Sequence, residues 1–245
     1  MSSRYILETV GLGMQFGGLM ALSEVSIQVE QGEFLGIIGP NGAGKTTFFH
    51  AISGVLPPTS GQVFIDGVAM HGKRPEAFCH QGVARTFQTP RIFADMSVRD
   101  NVRFAWTFSQ GHRKSPDMAL VDEALEAVGL ASLRDEVAGL QPPARQRQLE
   151  ISMALATAPR LLLLDEVAAG LTEGEVEEVA RLIGRLRSEY GLTVVWIEHA
   201  VKTLMKAVER VAVLNFGRLL ADGAPDVVAA DPQVIDAYLG EEEQA

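Results

Sequence analysis

The stretch from Gly39 to Thr47 is where residue type and spacing point most directly to chemistry. It reads Gly39-Pro40-Asn41-Gly42-Ala43-Gly44-Lys45-Thr46-Thr47 and matches the phosphate-binding pattern G-x-x-x-x-G-K-[ST]. Its glycines let backbone N–H groups curl around phosphate oxygens where a side chain would intrude. Lys45 would carry a positive charge to the β- and γ-phosphates, and the Thr46 hydroxyl would ligate Mg²⁺. The stretch therefore predicts binding of a nucleoside triphosphate.

Acidic residues end two predicted strands further along the chain. Asp165 and Glu166 follow the run Leu161–Leu164, where one carboxylate can hold Mg²⁺ and a second can polarise an attacking water. Such a pair alone is more often a solvated turn, but after a phosphate loop it is typical of a Walker B pair. Glu198 and His199 end a later strand in the same way. A lone histidine usually packs or lies on the surface, whereas this one would reach the same sheet edge and contact the γ-phosphate.

The elements on either side of the phosphate loop have the order that phosphate binding requires. Phe34–Ile38 is a short apolar run that predicts a buried strand. Thr46 to Ser53 can form a helix, and Gly54 is its stop signal. A strand, a loop and a helix in this order place the phosphates at a helix N-terminus, which distinguishes the site from an ordinary glycine-rich turn.

The first strands of the chain are predicted from shorter patterns. Tyr5–Val10, Val25–Val29 and Gly61–Ile65 look like strands, and the last of them ends in a turn at Asp66-Gly67. In Val25–Val29 apolar residues alternate with polar ones, so one face of this strand should be buried and the other solvated.

Later strands alternate with amphipathic helices. Leu161–Leu164, Val194–Ile197 and Val211–Leu214 are apolar throughout, as expected of strands covered on both faces. Thr172 and Glu175 form a capping box that starts a helix. The apolar face of that helix comprises Val176, Val179, Leu182, Ile183 and Leu186. This alternation predicts a wound α/β sheet whose ligands bind beyond the C-terminal ends of its strands.

Residues 97–158 are predicted to be mostly helical and to form a subdomain inserted between strands. Ser115 can cap one helix, Pro116 suits its first position, and Gly129 can end it. Its apolar face consists of Met118, Val121, Leu125 and Val128. At the other end of the chain, the acidic tail 241–245 is predicted to be solvated.

Composition limits the classes of function. The 245 residues can bury a large core, and the formal net charge of −10 argues against a nucleic-acid partner, because a phosphate backbone needs a basic face. The single cysteine, Cys79, excludes an internal disulfide framework and suits a reducing cytosol. No signal peptide and no apolar run long enough for a membrane helix are recognised. Any link to a membrane is thus expected to run through a partner, without direct insertion.

The motifs Gly39–Thr47, Leu161–Glu166 and His199 together resemble those of the ATP-binding cassette (ABC) ATPases, the motor subunits of membrane transporters. The resemblance runs through nearly the whole chain and implies a single α/β domain: a P-loop NTPase core with an antiparallel β subdomain and an inserted helical subdomain. It implies ATP and Mg²⁺ as cofactors and ATP hydrolysis as the activity. By this likeness Phe16 stacks on adenine, and Gln88 senses Mg²⁺ and the transmembrane partner.

Four shorter motifs resemble one ATPase subunit of the branched-chain amino acid importers. They are Arg85–Gln88, Ala169–Leu171, Ile197–His199 and Ala237–Gly240. The resemblance implies permease partners and a peripheral position on the cytoplasmic face of the plasma (inner) membrane. Related systems carry urea and aromatic acids, so the solute stays open.

The chain departs from the family in its signature loop. The stretch that corresponds to the usual LSGGQ is Gln141-Pro142-Pro143-Ala144-Arg145. Pro142 offers no hydroxyl, neither proline has an N–H, and Ala144 puts a methyl group where a glycine would allow close approach. Since proline is accepted at a helix start, the following helix should survive with a weakened phosphate-binding end. Val167 also replaces the proline that commonly follows the Walker B glutamate.

This departure favours a heterodimer, because each nucleotide in the family lies between one subunit's phosphate loop and the other's signature loop. A paralogous ATPase with an intact signature would complete the site built on Lys45, Glu166 and His199. Two alternatives stay open: an ATP-binding partner subunit with little hydrolysis of its own, and a soluble ABC ATPase of repair or translation. Turnover with Glu166→Gln in this chain only would test the former, and co-purification with a permease the latter.

Overall fold

The computed structural model describes residues 3–109 and 117–242. The strands are β1 (Tyr5–Phe16), β2 (Leu19–Val25), β3 (Gln28–Glu30), β4 (Phe34–Ile38), β5 (Ser60–Ile65), β6 (Val68–Ala69), β7 (Val83–Arg85), β8 (Leu161–Asp165), β9 (Thr193–Ile197), β10 (Arg210–Asn215) and β11 (Arg218–Gly223). The helices are α1 (Lys45–Ile52), α2 (Pro75–His80), α3 (Val98–Ser109), α4 (Met118–Ala127), α5 (Pro143–Leu155), α6 (Glu173–Tyr190), α7 (Val201–Ala207), α8 (Pro225–Ala229) and α9 (Pro232–Glu242).

The central sheet has the order β11-β10-β4-β9-β8-β7. Its strands are parallel except for β11 at one edge, which is antiparallel to β10. Its register aligns the ends of the strands that carry the predicted site. Ile37 of β4 and Asp165 of β8 both pair with Ile197 of β9. The chain segments that follow these three strands therefore leave the sheet side by side at one edge, as predicted.

Both faces of this sheet are buried, which explains its uninterrupted apolar strands. Alternate residues of β8 belong to two separate cores: Leu162 and Leu164 pack with the helices α3 to α6, and Leu161 and Leu163 pack with α1 and the second sheet. The apolar face predicted for α6 is buried, and the capping box of Thr172 and Glu175 is formed.

The second sheet is antiparallel, with the order β2-β1-β5-β6 and β3 paired to β1. The prediction that the first strand ends at Val10 was wrong, since β1 continues to Phe16. Gly11 has a φ of 56°, and the register of β1 against β5 shifts between Val10 and Gly13. These residues form an irregularity of the bulge type that lets one strand pair with β5 and then with β2, although in the sequence they look like a strand end.

The single predicted strand Val25–Val29 is divided between β2 and β3. Its alternation was interpreted correctly, because Val25, Ile27 and Val29 are all buried. At Ile27, between the two strands, the backbone carbonyl still accepts from the N–H of Thr9 at 2.8 Å, but the N–H donates to the Thr9 hydroxyl at 2.9 Å. Local hydroxyl bonds of this kind compete with regular pairing.

In the described part of the chain between the neighbouring strands β7 and β8 lie the helices α3, α4 and α5. The predicted cap Ser115 and first residue Pro116 lie outside the described residues. As described, α4 begins at Met118, with the Asp117 side chain accepting from the N–H of Ala119. Gly129 follows its end with a φ of 77°, as predicted.

The bounds of two further segments, helix α1 and the C-terminal tail, also differ from prediction. Helix α1 is shifted by one residue and begins at Lys45, because Gly44 is the residue that caps it. The predicted tail 241–245 is part helix, since α9 extends through Glu242, and residues 243–245 lie outside the described part. Among the described helices, none combines the length and apolar character needed to cross a bilayer.

Candidate functional site

Backbone geometry forces glycine at both ends of the phosphate loop. Gly39 has a φ of 154°, and a Cβ there would overlap the carbonyl oxygen of Leu214. Gly44 has a φ of 99°, and a Cβ would lie 2.7 Å from the carbonyl oxygen of Ala21. The loop is thus wedged between β2 and the end of β10. This wedging fixes the loop at the N-terminus of α1, where aligned N–H groups attract anions.

Lys45 is folded over the loop that precedes it. Its ammonium group donates to the carbonyl oxygens of Gly39 at 2.6 Å and Pro40 at 3.0 Å, and the residue is 5% exposed. These bonds place a charged donor inside the curve of the loop, where a phosphate chain would be surrounded by positive potential.

An open cleft of about 420 Å³ lies over the loop. It is lined by Phe16, Leu19, Met20, Ala21, Asn41 to Thr47, Glu166, His199, Phe216 and Gly217. The structure therefore brings most of the predicted residues to one place: the phosphate loop, the aromatic Phe16, Glu166 and His199. Phe16 is half-exposed at the end of β1, so its ring is available to a base entering the cleft.

The sequence reasoning missed the contribution of the turn between β10 and β11. Gly217 donates its N–H to the carbonyl of Ala43 at 3.0 Å, and its own carbonyl accepts from Ser23 at 2.8 Å. Phe216 beside it is 85% exposed and lines the cleft. Because β10 runs parallel to β4 as its neighbour, its end had to emerge beside the phosphate loop, and that was the available signal.

Glu166 is held in place by two side chains from the segments that follow β7 and β9. Gln88 donates its Nε2 hydrogen to Oε2 at 2.6 Å, and His199 Nε2 lies 2.9 Å from Oε1. Glu166 is buried and has a φ of 48°, a conformation that is costly for a residue with a side chain. Such a fixed carboxylate, beside a half-exposed histidine and a phosphate loop, is suited to orient a water molecule for attack on a terminal phosphate.

Asp165 faces the interior. Its Oδ2 forms an ion pair of 2.6 Å with Arg85 Nη2, and both side chains are less than a tenth exposed. Arg85 also donates to the hydroxyl of Ser53 at 2.9 Å, and its guanidinium carbon lies 5.7 Å from the ring centroid of Phe49 and 5.1 Å from that of Phe87. This buried pair links the ends of β7, β8 and α1, and the sequence reasoning did not anticipate it.

The predicted magnesium ligands offer the oxygen donors that this ion prefers: the hydroxyl of Thr46, the amide of Gln88 and the carboxylate of Asp165. Thr46 lines the cleft, Gln88 is tied to Glu166, which also lines it, and Asp165 directly precedes Glu166 in the chain. The donor chemistry of Thr46 and Gln88 therefore fits a magnesium ion at the cleft, whereas Asp165 would offer its Oδ1, because its Oδ2 is paired with Arg85.

Glu198 is a positioning residue for the segment after β8. Its Oε1 accepts from the N–H of Ala168 at 2.7 Å and from the indole of Trp196 at 3.1 Å. Burial raises the pKa of the Glu198 carboxyl, and these hydrogen bonds oppose the rise. The carboxylate ties the chain after Glu166 to β9, next to His199.

Residues 141–145, which are predicted to stand in place of the signature loop, run into the start of α5. Pro143 is its first residue, and Pro142 caps it without a side-chain hydrogen bond, so the predicted helix is present. The N–H groups of Arg145 and Gln146 both bond to the Pro142 carbonyl, at 2.9 and 3.0 Å. Most anion-binding donors of this helix start are therefore missing or engaged.

Parallel strands that deliver a phosphate loop, an oriented carboxylate and a histidine to one edge define a P-loop ATPase. Family comparison agrees. The model of the family described as ABC transporter matches residues 22–169, and a second, described as branched-chain amino acid ATP-binding cassette transporter, matches residues 218–244. The chain belongs to the ABC transporter family, as an ATP-binding subunit with ATPase activity.

Relatives and solved structures cover the chain almost completely. The chain is 40% identical, over 98% of its length and 99% of the relative's, to the high-affinity branched-chain amino acid transport ATP-binding protein BraF of Pseudomonas aeruginosa. It is 37% identical, with the same coverage, to LivG of Escherichia coli, which carries the same description. The ADP conformation of MJ1267, an ATP-binding cassette of an ABC transporter, superposes with a TM-score of 0.87 at 30% identity, covering 97% of this chain and 100% of that one. The ABC ATPase fold expected from the sequence is confirmed.

Proposed function

We propose that this chain hydrolyses ATP within an importer for branched-chain amino acids or related small polar or aromatic solutes. It would work as a heterodimer with a paralogous ATPase, attached to transmembrane permease subunits at the cytoplasmic face of the inner membrane. Support for the solute class comes from BraF and LivG, described as branched-chain amino acid transport proteins and alike over nearly the full length. The observation that carries the heterodimer is the contrast between a complete phosphate-loop side and a depleted signature loop within one chain.

The residues assigned to the phosphate-loop side would supply each kind of group that phosphoryl transfer uses. Lys45 and the N–H groups of the loop would hold the β- and γ-phosphates, and Mg²⁺ held by Thr46, Gln88 and Asp165 would supply neutralising charge. Glu166 would orient or activate the attacking water, and His199 would contact the γ-phosphate. Gln88 and His199 fix both carboxylate oxygens of Glu166, so the protein's own side chains set its orientation.

The signature side lacks its usual donors. Pro142 and Pro143 have no N–H, and the N–H of Arg145 is bonded to Pro142. In a homodimer this stretch would face both nucleotides. In a heterodimer the phosphate loop of this chain would face an intact signature loop, so one of the two sites would be competent.

The test is turnover of the reconstituted heterodimer with permease and MgATP. Glu166→Gln in this chain alone should lower the rate by roughly 10²-fold or more, since general-base assistance typically contributes 10²- to 10⁴-fold. The equivalent change in the partner should have a much smaller effect. Glu178→Gln, in an exposed glutamate of α6, is the matched control.

A second candidate is an ATP-binding subunit that hydrolyses little itself, and the proline-containing helix start favours it. The same experiment separates the two. If Glu166→Gln in this chain leaves turnover unchanged while the partner's equivalent change abolishes it, the second function is correct. If the chain alone hydrolyses ATP at the rate of the heterodimer, the heterodimer proposal is wrong.

A further inference from the structure

An ion pair in α5 lies deep in the protein, away from the nucleotide cleft. Arg147 Nη1 is 2.9 Å from Glu150 Oε2, and the two side chains are 3% and 5% exposed. Burial of both charges is costly unless further hydrogen bonds satisfy them. Further hydrogen bonds of this pair go to one segment, residues 87–91.

The pair binds the backbone of that segment with four hydrogen bonds. Arg147 donates to the carbonyl oxygens of Phe87 at 2.5 Å and Gln88 at 2.7 Å. Glu150 Oε1 accepts from the N–H groups of Phe87 at 3.1 Å and Arg91 at 3.0 Å. An arginine fork and a carboxylate together thus hold a loop that has no strand partner at these residues.

The held segment carries the side chain that orients Glu166. The backbone carbonyl of Gln88 accepts a hydrogen bond from Arg147, and its side-chain amide donates to Glu166 at 2.6 Å. A short, continuous path therefore runs from the interior of α5 to the carboxylate of the cleft. Helix α5 is also the helix that begins at the altered signature stretch, one turn before Arg147.

We propose that Arg147 and Glu150 are positioning residues for catalysis: they fix Gln88, and through it Glu166, to the helix that starts at the signature loop. This inference rests on the proposed function, because it assigns the pair to the hydrolytic step. A displacement of α5 on contact with the opposite subunit would move the Gln88 amide and change the orientation of Glu166. Displacement of a catalytic group by about 1 Å can lower the rate roughly 10²-fold.

The first variant is Arg147→Met with Glu150→Leu, which removes both charges at similar volume, so that neither charge is left buried without its partner. The second is Arg147→Lys, which keeps the charge and the pairing with Glu150 but cannot span two carbonyls as a fork does. The matched control is Asp122→Asn, which breaks the ion pair of Arg99 with Asp122 between α3 and α4 without touching residues 87–91.

In the reconstituted heterodimer, the double variant should lower kcat about 10- to 100-fold and leave KM for ATP within about threefold. Arg147→Lys should also lower kcat, and Asp122→Asn should not. Adding Gln88→Ala to the double variant should lower kcat no further than Gln88→Ala alone, since residues on one path are not additive. Wild-type kcat in the double variant, or effects that multiply with Gln88→Ala, would overturn the proposal.

Hydrogen exchange of the peptide spanning residues 85–92 gives a readout that needs no turnover. The Phe87 and Arg91 amides should exchange at least about tenfold faster in the double variant than in the wild type or Asp122→Asn, because they lose their acceptor. Equal exchange in all three proteins would overturn the positioning role. A wild-type complex without ATPase activity would refute the proposed function instead, and the exchange measurement would still decide whether the pair holds the segment.

Discussion

Replacing Arg85 with methionine removes the positive partner of a buried ion pair while keeping an apolar stem of similar length. The guanidinium lies 2.6 Å from Asp165, and the two side chains are 7% and 5% exposed. Methionine can still pack against Phe49 and Phe87, whose ring centroids lie 5.7 and 5.1 Å from the guanidinium carbon. The change therefore leaves the Asp165 carboxylate buried without its counter-charge, and it also removes the hydrogen bond to Ser53.

The structure sets the size of this effect. Removing one partner of a buried pair typically costs about 3–5 kcal/mol, because an uncompensated charge stays in the interior. For a chain of this size, 1 kcal/mol corresponds to roughly 2–4 °C in Tm, so the expected loss is about 6–20 °C. A second change, Asp165→Asn, removes the stranded charge and should restore more than half of that loss.

Thermal and urea unfolding of the nucleotide-free chain provide the assay, with Arg4→Met as the matched control. Arg4 pairs with Glu30 at the same 2.6 Å, but their side chains are 72% and 49% exposed. An exposed pair contributes about 0–1 kcal/mol. If Arg85→Met lowered Tm no more than Arg4→Met, the reasoning that the buried pair holds β7 to β8 would be refuted.

Three further changes test other parts of the site. Lys45→Ala should weaken MgATP binding roughly 10- to 100-fold in calorimetry, since a hydrogen bond to a charged group contributes about 1.5–3 kcal/mol; unchanged affinity would contradict its role. Glu166→Gln should accumulate an ATP-bound dimer with the paralogous subunit, detected by size-exclusion chromatography, and a profile without that dimer counts against the assignment. Glu198→Gln should gain stability relative to wild type as pH rises. Burial raises the pKa of the Glu198 carboxyl above its ordinary value of 4.5. Between the pKa values of the unfolded and folded states only the folded state binds the proton, so wild-type stability falls as pH rises through that window. If the urea midpoints of the two proteins changed equally with pH from pH 5 to 8, this linkage would be excluded.

Most of the site could be predicted because the chemistry lies at the ends of buried parallel strands. An apolar run that ends in Gly39, Asp165 or Glu198 indicates both a buried strand and the point where it leaves the sheet. The register of β4, β8 and β9 brings these strand ends together. The capping box of α6 was equally local, because Thr172 and Glu175 lie within one turn.

Features that depend on distant contacts could not be predicted. Arg85 reaches Asp165 across 80 residues of sequence, and Arg147 reaches Phe87 across 60. Nothing in the neighbouring residues distinguishes such an arginine from one on the surface. The division of Val25–Val29 into two strands could not be predicted for a similar reason. The hydroxyl that takes the N–H of Ile27 belongs to Thr9, which lies on another strand.

Calorimetric titration of the folded chain with MgATP is the most direct test of the account. We expect one ATP to bind per chain, with an affinity that falls sharply in Lys45→Ala and changes little in Asp122→Asn. A folded wild-type chain that shows no heat of binding, or that binds equally well without Lys45, would contradict the central claim that the loop from Gly39 to Thr47 holds the triphosphate.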